Sequence, residues 1–480
     1  MKLFKAFTVL PILCSLIPAI SAASSELSIS GDHFVDSHGR TILLRGVNIS
    51  GSAKNPPFLP LGGDVEKLDP LPALGVNVIR IVFQWEAYEP QPGVYDDSYL
   101  EVITQVIDAA WKRGIYTVVD MHEDGFSRFV GGSCGDGFPA WAVPQGQREE
   151  YDFNNPPECN RFWAAGVTMS LDMHSSFKAF YANENGTRQA FLNVWHGLAG
   201  HFRNHRGVIG YDLINEPWGD EVSEIFPLYQ DVAEQIHAVD PNAFIFFEPN
   251  VVKASNTRLP SPTFKNGVYA PHYYNILELV ADSWRFGTKN DVKKNFTGFG
   301  RKARDWNVPL FVGEFGVSAT STKAPDYMRF VFDQLDLRLA SYTQWNYTPE
   351  WNQVRKDGWN EEDFSIVDDE GKLRPNFLYR PYVQKTAGTL LAQNVTYDSN
   401  GRFRSFHAKW RNVPAKGKTE VFLPAALISR DKISVMHGPT DIHCAYDNQK
   451  SFVLKCASES TTEIEIWIET TGETSGGGSP

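Results

Sequence analysis

Leu213-Ile214-Asn215-Glu216-Pro217 and Val312-Gly313-Glu314-Phe315-Gly316 are the two strings that decide the fold. Each puts a glutamate at the end of a short apolar run, where a buried parallel strand stops. Pro217 keeps the first run from continuing as strand. Two carboxyls delivered this way can share one pocket. Such a pair is what retaining glycosidic cleavage needs: one group attacks the anomeric carbon, and the other protonates the leaving oxygen.

The runs around these strings repeat. Between Thr41 and about Gly388, β-rich segments are predicted at Thr41–Val47, Val76–Phe83, Tyr116–Met121, Val208–Leu213, Phe244–Phe247, Val268–Ala270, Leu310–Val312 and Tyr342–Trp345. Amphipathic helical patterns lie between them, among them Asp97–Arg113, Arg188–Arg203, Phe226–Val239 and Asp326–Leu339. This alternation predicts a (β/α)8 TIM barrel over residues 23–388. A doubly wound open sheet is the competitor. The barrel is preferred because polar residues stand at the C-terminal end of nearly every run, which is the active face of a barrel.

The connection from His122 to about Tyr181 is far longer than an ordinary βα loop and is rich in Gly, Phe and Trp. It reads either as an aromatic wall for an apolar ligand or as a self-packed excursion. After Gly388 the helical period disappears. Alternating stretches at Arg404–Trp410, Thr419–Leu423, Ser451–Leu454 and Thr462–Ile468 predict an antiparallel β-sandwich over residues 389–469. It reads either as a buttress on the barrel or as a contact module for sugar or membrane. The Gly/Ser-rich end, residues 470–480, predicts a disordered tail.

Residues 1–22 have the form of a secretory signal: Lys2 and Lys5, an apolar core from Phe7 to Leu16, and small residues before the cleavage site. Their removal takes the formal net charge from −12 to −14, since two lysines leave. That balance argues against nucleic acid and against polybasic attachment to anionic lipid. Cys134, Cys159, Cys444 and Cys456 remain, an even number for an oxidising compartment. Their positions suggest the local disulfides Cys134–Cys159 and Cys444–Cys456. A zinc site is the rival, but its CxxC spacing is missing. Asn48, Asn185, Asn295, Asn346 and Asn394 head N-x-S/T sequons. Asn48 and Asn346 sit near predicted strand ends beside the site and are expected to stay unmodified.

Supporting groups stand where the glutamates need them. Arg80 ends the second run and can hold a carboxylate ionised. His122 ends the third, and His272 and Tyr274 end the sixth. Trp345 ends the eighth, where an indole can stack under a sugar ring. For any one of these alone, core packing explains the residue equally well; their joint placement carries the signal.

Arg80, His122, Asn215-Glu216, His272-x-Tyr274, Glu314 and Trp345 together resemble the active-site set of glycoside hydrolase family 5. Leu44-Arg-Gly-Val-Asn-Ile-Ser-Gly-Ser-Ala-Lys54, Asp120-Met-His-x-Asp124, Gly137-Phe-Pro-Ala-Trp141 and Arg380-x-Tyr382, with the appended sandwich, resemble the endoglycoceramidases within it. The resemblance implies a secreted retaining enzyme that needs no cofactor or metal. Its partner would be a glycosphingolipid presented by detergent or an activator, and it would act as a monomer. The products would be intact glycan and ceramide. The resemblance also implies Glu314 as nucleophile and Glu216 as acid/base, with Lys54, Asp124 and Asn215 on hydroxyls of the first sugar. Two regions depart from the pattern. Asn346 to Ile366 is closer to fungal glucosylceramidases and eukaryotic endoglycoceramidases, which bears on glycan length. Pro144–Met173 does not align, so Trp163 stands there as the candidate sugar-binding indole without support from the pattern.

Overall fold

The computed structural model describes residues 26–159, 163–398, 401–427, 433–437, 441–447 and 452–470. The signal segment, residues 471–480 of the tail, Phe162 and Ser451 lie outside the described residues.

Eight parallel strands form the central sheet: β1 Arg45–Ile49, β2 Val78–Gln84, β3 Tyr116–His122, β4 Val208–Asp212, β5 Phe244–Phe247, β6 Gly267–Tyr269, β7 Phe311–Val312 and β8 Ser341–Tyr347. Their order is β7-β8-β1-β2-β3-β4-β5-β6, and a parallel bridge between Tyr269 and Leu310 joins the two edges. The sheet is therefore a closed barrel, as the alternation predicts.

Side-chain alternation fills it in layers. In β2 and β3, Val78 and Val118 lie in the floor cluster with Phe244, Phe246 and Phe311. Ile79, Ile81, Val119 and Met121 point outward into the core shared with the helices. Above the floor, Arg80, Asp120 and Asp212 are buried, and the interior becomes charged.

The first barrel strand differs from the predicted Thr41–Val47. Thr41–Ile42 instead pairs with Tyr382–Thr386, and the barrel strand begins at Arg45. The chain changes sheets across Leu43 and Leu44, both buried. Leu27–Ser30 and His33–Asp36 form a hairpin whose Leu27 and Phe34 join the floor cluster. The Phe34 ring lies 5.5 Å from that of Phe244. The last barrel helix covers Ala324–Asp336, earlier at both ends than the predicted Asp326–Leu339: Pro325 occupies its first turn, and Leu339, at φ of +49°, lies beyond its end.

A second, antiparallel layer follows. Among the described residues, one sheet has seven strands and combines the N-terminal strands with Tyr382–Thr386, Thr419–Phe422, Val453–Ala457 and His443–Tyr446. The other has four: Gly388–Tyr397, Phe403–Asn412, Glu463–Thr470 and Ile433–His437. Val383, Phe406, Trp410, Val421, Leu454 and Ile466 form part of the core between them. Disulfides join Cys134 to Cys159 and Cys444 to Cys456.

The second layer is tied to the barrel through one buried carboxylate. Asp336 accepts from Arg45, from Arg380 Nε at 2.5 Å and from Gln393 Nε2 at 2.7 Å. The Arg380-x-Tyr382 motif is thus a joint, with the Tyr382 ring 4.5 Å under the Arg45 guanidinium.

The His122–Tyr181 insertion is largely self-packed. Phe126 and Phe138 stack at 4.1 Å and, with Val130, Phe177 and Phe180, are buried. An aromatic wall for an apolar ligand is therefore not what these side chains make.

Candidate active site

The barrel brings all the sequence-predicted polar residues to its C-terminal end. Arg80 is the hub and is fully buried. Its Nη1 donates to Glu314 Oε1 at 2.7 Å and to Asn48 Oδ1 at 3.1 Å. Its Nη2 donates to Asn215 Oδ1 at 2.9 Å and lies 2.8 Å from Asp120 and 3.2 Å from Glu248. Nε donates to Asp212 at 2.9 Å. One guanidinium thus faces four carboxyl groups. Burial opposes its charge, yet Asp120, Asp212 and Glu314 hold its pKa well above the ordinary value.

Glu314 also accepts from Tyr274 Oη at 2.8 Å on its other oxygen, Oε2. Both oxygens are thus oriented by donors, which fixes the direction of the side chain. Glu216 stands on a backbone with φ of +42°, rare for a residue with a side chain. The turn is held by its N–H, which donates to Glu248 Oε2 at 3.0 Å. Its Oε1 lies 3.0 Å from His272 Nδ1, and that same nitrogen is 3.7 Å from Glu314 Oε2. Facing carboxylate oxygens of Glu216 and Glu314 are within 4.8 Å of each other. Burial, then the charge of Asp124, push the Glu216 carboxyl up to about 7, against the pull of His122, Arg80 and Lys54. Burial also pushes His272 down to about 3, so its imidazole is neutral.

A second polar group forms over β1, β3 and β8. Lys54 pairs with Asp124, and its ammonium lies 4.7 Å over the Trp345 ring and 5.1 Å over that of Trp359. His122 stacks on Trp345 at 5.5 Å and accepts no role as a neutral base. Burial pulls it down, but Asp120, 2.7 Å from Nδ1, outweighs this and holds it up at about 10. Trp345 Nε1 donates to Glu362 at 3.2 Å. Burial carries Glu362 up to about 8 despite Lys54 beside it. Asn215 gives its Nδ2 to the Glu123 carbonyl at 2.9 Å, leaving one amide hydrogen for a ligand.

Across the mouth, the segments after β4 to β6 carry exposed apolar side chains. Val222 follows Glu216; Val251 and Val252 follow Glu248; Ile276 and Leu277 follow Tyr274. Met169 and Leu171, both 80 % exposed, extend this rim on the insertion. Trp163 lies instead against Trp359, with ring centroids 6.2 Å apart.

Residues 35–350 match the family model for cellulases of glycosyl hydrolase family 5, and residues 380–469 match that family's C-terminal domain. The chain belongs to glycoside hydrolase family 5. Family 5 relatives include Endoglycoceramidase I of Rhodococcus hoagii (strain 103S), 29% identical over 359 residues, which are 67% of this chain and 68% of that protein. Endoglycoceramidase of Cyanea nozakii is 28% identical over 316 residues, 56% of this chain and 61% of the other. The solved structure of endo-glycoceramidase II from Rhodococcus sp. with ganglioside GM3 superposes with a TM-score of 0.75. It is 21% identical and covers 92% of this chain and 100% of that one. The likeness establishes a shared fold, sandwich included.

Sequence reading gave no role to several residues of this site. Glu248 had a signal: Phe244-Ile-Phe-Phe-Glu-Pro249 repeats the pattern of an apolar run, a glutamate and a proline. Asp120 and Asp212 end inward-facing strand positions, and only the strand register identifies them as partners of Arg80. Glu362 comes from an irregular loop without any period to read.

Proposed function

We propose that this family 5 hydrolase is a secreted, retaining enzyme that cleaves the bond between glycan and ceramide in glycosphingolipids and releases the glycan intact. Glu314 is the nucleophile and Glu216 the acid/base. The observation that carries the reading is the pairing of two features at one mouth. The carboxyl oxygens approach within 4.8 Å, on the scale of about 5 Å that retention needs. The mouth is polar and aromatic over β1, β3 and β8 and carries exposed apolar side chains over β4 to β6.

In the first half-reaction Glu314, held by Arg80 and Tyr274, attacks the anomeric carbon. Glu216 gives its proton to the departing ceramide oxygen. In the second, Glu216 takes a proton from water, which opens the glycosyl ester. Trp345 offers its face to the sugar. Lys54, Asp124 and the free Asn215 hydrogen offer partners to sugar hydroxyls, and the apolar rim faces the lipid. Glycans on Asn185 and Asn394, both exposed, suit an extracellular protein. Asn48 and Asn346 are buried with their amides in hydrogen bonds. A micellar substrate taken up by a monomer, with detergent or an activator to present it, completes this reading.

Incubation with a ganglioside in mild detergent tests it: free oligosaccharide and ceramide are expected in equal amounts. Stepwise loss of terminal sugars, or sugar release without ceramide, overturns it.

One observation favours a second reading, cleavage of monohexosyl lipids. Asn360 Nδ2 donates to the Cys134 carbonyl at 2.8 Å, which ties the loop after β8 to the insertion beside the Lys54–Asp124 pair. A cavity of about 850 Å³, lined among others by Ser52, Asn55, Tyr151, Phe153 and Trp359, adjoins this crossing. If the crossing stays shut, a second sugar has no path. A preference for glucosylceramide over the ganglioside would then appear in the same assay.

A further inference from the structure

Glu362 reaches the site on a turn that the chain holds against its backbone preferences. Asn360 and Glu361, just before it, have φ of +43° and +58°. Asparagine tolerates this left-handed region, whereas glutamate seldom adopts it. The turn is clamped from both ends. The Glu362 N–H donates to the Trp359 carbonyl at 2.8 Å, and the Glu362 carbonyl accepts from the Asp357 N–H at 2.9 Å. The Asp357 carboxyl accepts from the N–H groups of Phe364 at 2.7 Å and Ser365 at 3.1 Å, and from Asn346 Nδ2 at 3.1 Å. Backbone strain clamped in this way collects at functional sites.

The turn delivers a half-buried carboxyl with one oxygen committed. Oε2 accepts from Trp345 Nε1 at 3.2 Å, and among the described residues no donor reaches Oε1. Trp345 is the indole offered to the first sugar, with the Lys54 ammonium 4.7 Å over its ring. Nothing in the reaction as derived above uses Glu362. We propose that Glu362 is a specificity-determining residue whose Oε1 binds the 6-hydroxyl of the first sugar. This rests on the site cleaving a β-glucoside with Glu314 and Glu216.

The choice of hydroxyl follows from the order of groups around the mouth. Asn215 follows β4, Asp124 follows β3, Lys54 follows β1 and Glu362 follows β8, which is the order in which those strands succeed one another round the barrel. The turn itself spans the gap beyond Lys54. Trp359 lies under the Lys54 ammonium at 5.1 Å, and the Phe364 ring is 6.0 Å from that of Tyr274, after β6. A pyranose on Trp345, with its anomeric carbon at Glu314 and its 2-hydroxyl at Asn215, turns its 3- and 4-hydroxyls toward Asp124 and Lys54. Continuing round the ring, the exocyclic 6-hydroxyl comes next and meets Glu362. The contact holds whether the glycan is one sugar or several.

Either protonation state of Glu362 supplies the bond. Burial carries the carboxyl up to about 8 against the pull of Lys54. While it holds a proton, Oε2 accepts the indole N–H and Oε1–H donates to the sugar oxygen. Once ionised, Oε1 accepts the hydroxyl hydrogen. A sugar without that hydroxyl leaves Oε1 unpaired in a half-buried place, and the penalty falls on that sugar alone. If Glu362 served only to fix the plane of Trp345, its loss would act on every sugar alike.

Three soluble substrates separate these roles: an aryl β-glucoside, its 6-deoxy form and its 3-deoxy form. The parent should favour the glucoside over the 6-deoxy form by about tenfold or more in kcat/KM. In Glu362→Ala that ratio should shrink to within about threefold, while the ratio of the glucoside to the 3-deoxy form stays within about twofold of the parent's.

A parent indifferent to the 6-hydroxyl overturns the proposal without any variant, which covers the case in which Glu362→Ala does not fold. Equal losses on all three substrates in Glu362→Ala, or a collapse at the 3-hydroxyl instead, also overturn it. Glu314→Gln is measured alongside. If it abolishes turnover while the parent ignores the 6-hydroxyl, only the role of Glu362 falls. If turnover survives Glu314→Gln, or the parent cleaves none of the three, the assignment of the site falls and takes the role of Glu362 with it.

Discussion

Two substitutions at the Lys54–Asp124 pair should move the pH profile in opposite directions. Glu216 works as an acid only while protonated, so kcat/KM is full well below about 7 and falls above it. Burial and the Asp124 charge raise that carboxyl, and His122, Arg80 and Lys54 lower it. Asp124→Asn deletes the negative charge and leaves the three cations. One charge at an effective dielectric of about 20 is worth roughly one pKa unit or more across a pocket of this size. The limb then drops from about 7 to near 6. At pH 7 the protonated fraction falls from about one half to about one tenth, a fivefold loss on that count alone. Lys54→Met removes a cation, so the limb should rise toward about 8. The assay is kcat/KM against pH on a soluble aryl glucoside with a poor leaving group, which keeps micelle effects out. Limbs that stay in place, or that move the same way in both variants, would refute the electrostatic account of Glu216.

Other outcomes follow from the same geometry. Glu314→Gln should fold normally by circular dichroism yet turn over below about one ten-thousandth of the parent rate, because no other group can form the glycosyl ester. Asp336→Ala strands Arg45 in the joint between barrel and sandwich and leaves Arg380 only Asp333. A loss of about 3–5 kcal/mol in urea unfolding is expected. Val252→Asp combined with Ile276→Asp places charge on the apolar rim. Its loss of activity on micellar glycolipid should exceed the loss on a soluble aryl glucoside by about tenfold, and equal losses would remove the rim from lipid contact.

Much of this was legible before any coordinates, because barrel strands leave a period in the sequence. Phe244–Phe247 and the helix Phe226–Val239 were read to the residue, and both glutamates stood where strand ends put them. His122 and Trp345 were legible for the same reason, as positions near the end of a strand; Arg80 stands instead in the middle of β2, and His272 and Tyr274 follow the end of β6. What escaped depends on pairing between distant segments. Thr41 and Ile42 look like the start of β1, but their partner is Tyr382–Thr386, more than 300 residues away. The aromatic richness of the insertion was visible, but its direction was not. Phe126 and Phe138 pack on each other, while the exposed apolar groups are Met169 and Leu171 of the insertion and aliphatic residues after β4 to β6. Composition cannot tell a core from a rim.

The seven-stranded sheet has a consequence for how the protein is made. Leu27–Ser30, His33–Asp36 and Thr41–Ile42 are synthesised before the barrel, yet the sheet they join is completed by Thr419–Phe422, Val453–Ala457 and His443–Tyr446. The opening hairpin must wait while the whole barrel is synthesised. During that interval Ile42 presents an unpaired strand edge, which is the kind of surface that invites misassembly. The second layer can therefore close only after the strands that follow the barrel have been synthesised. A chain stopped at the end of the barrel would keep its catalytic groups in sequence but leave its first strands without their neighbours.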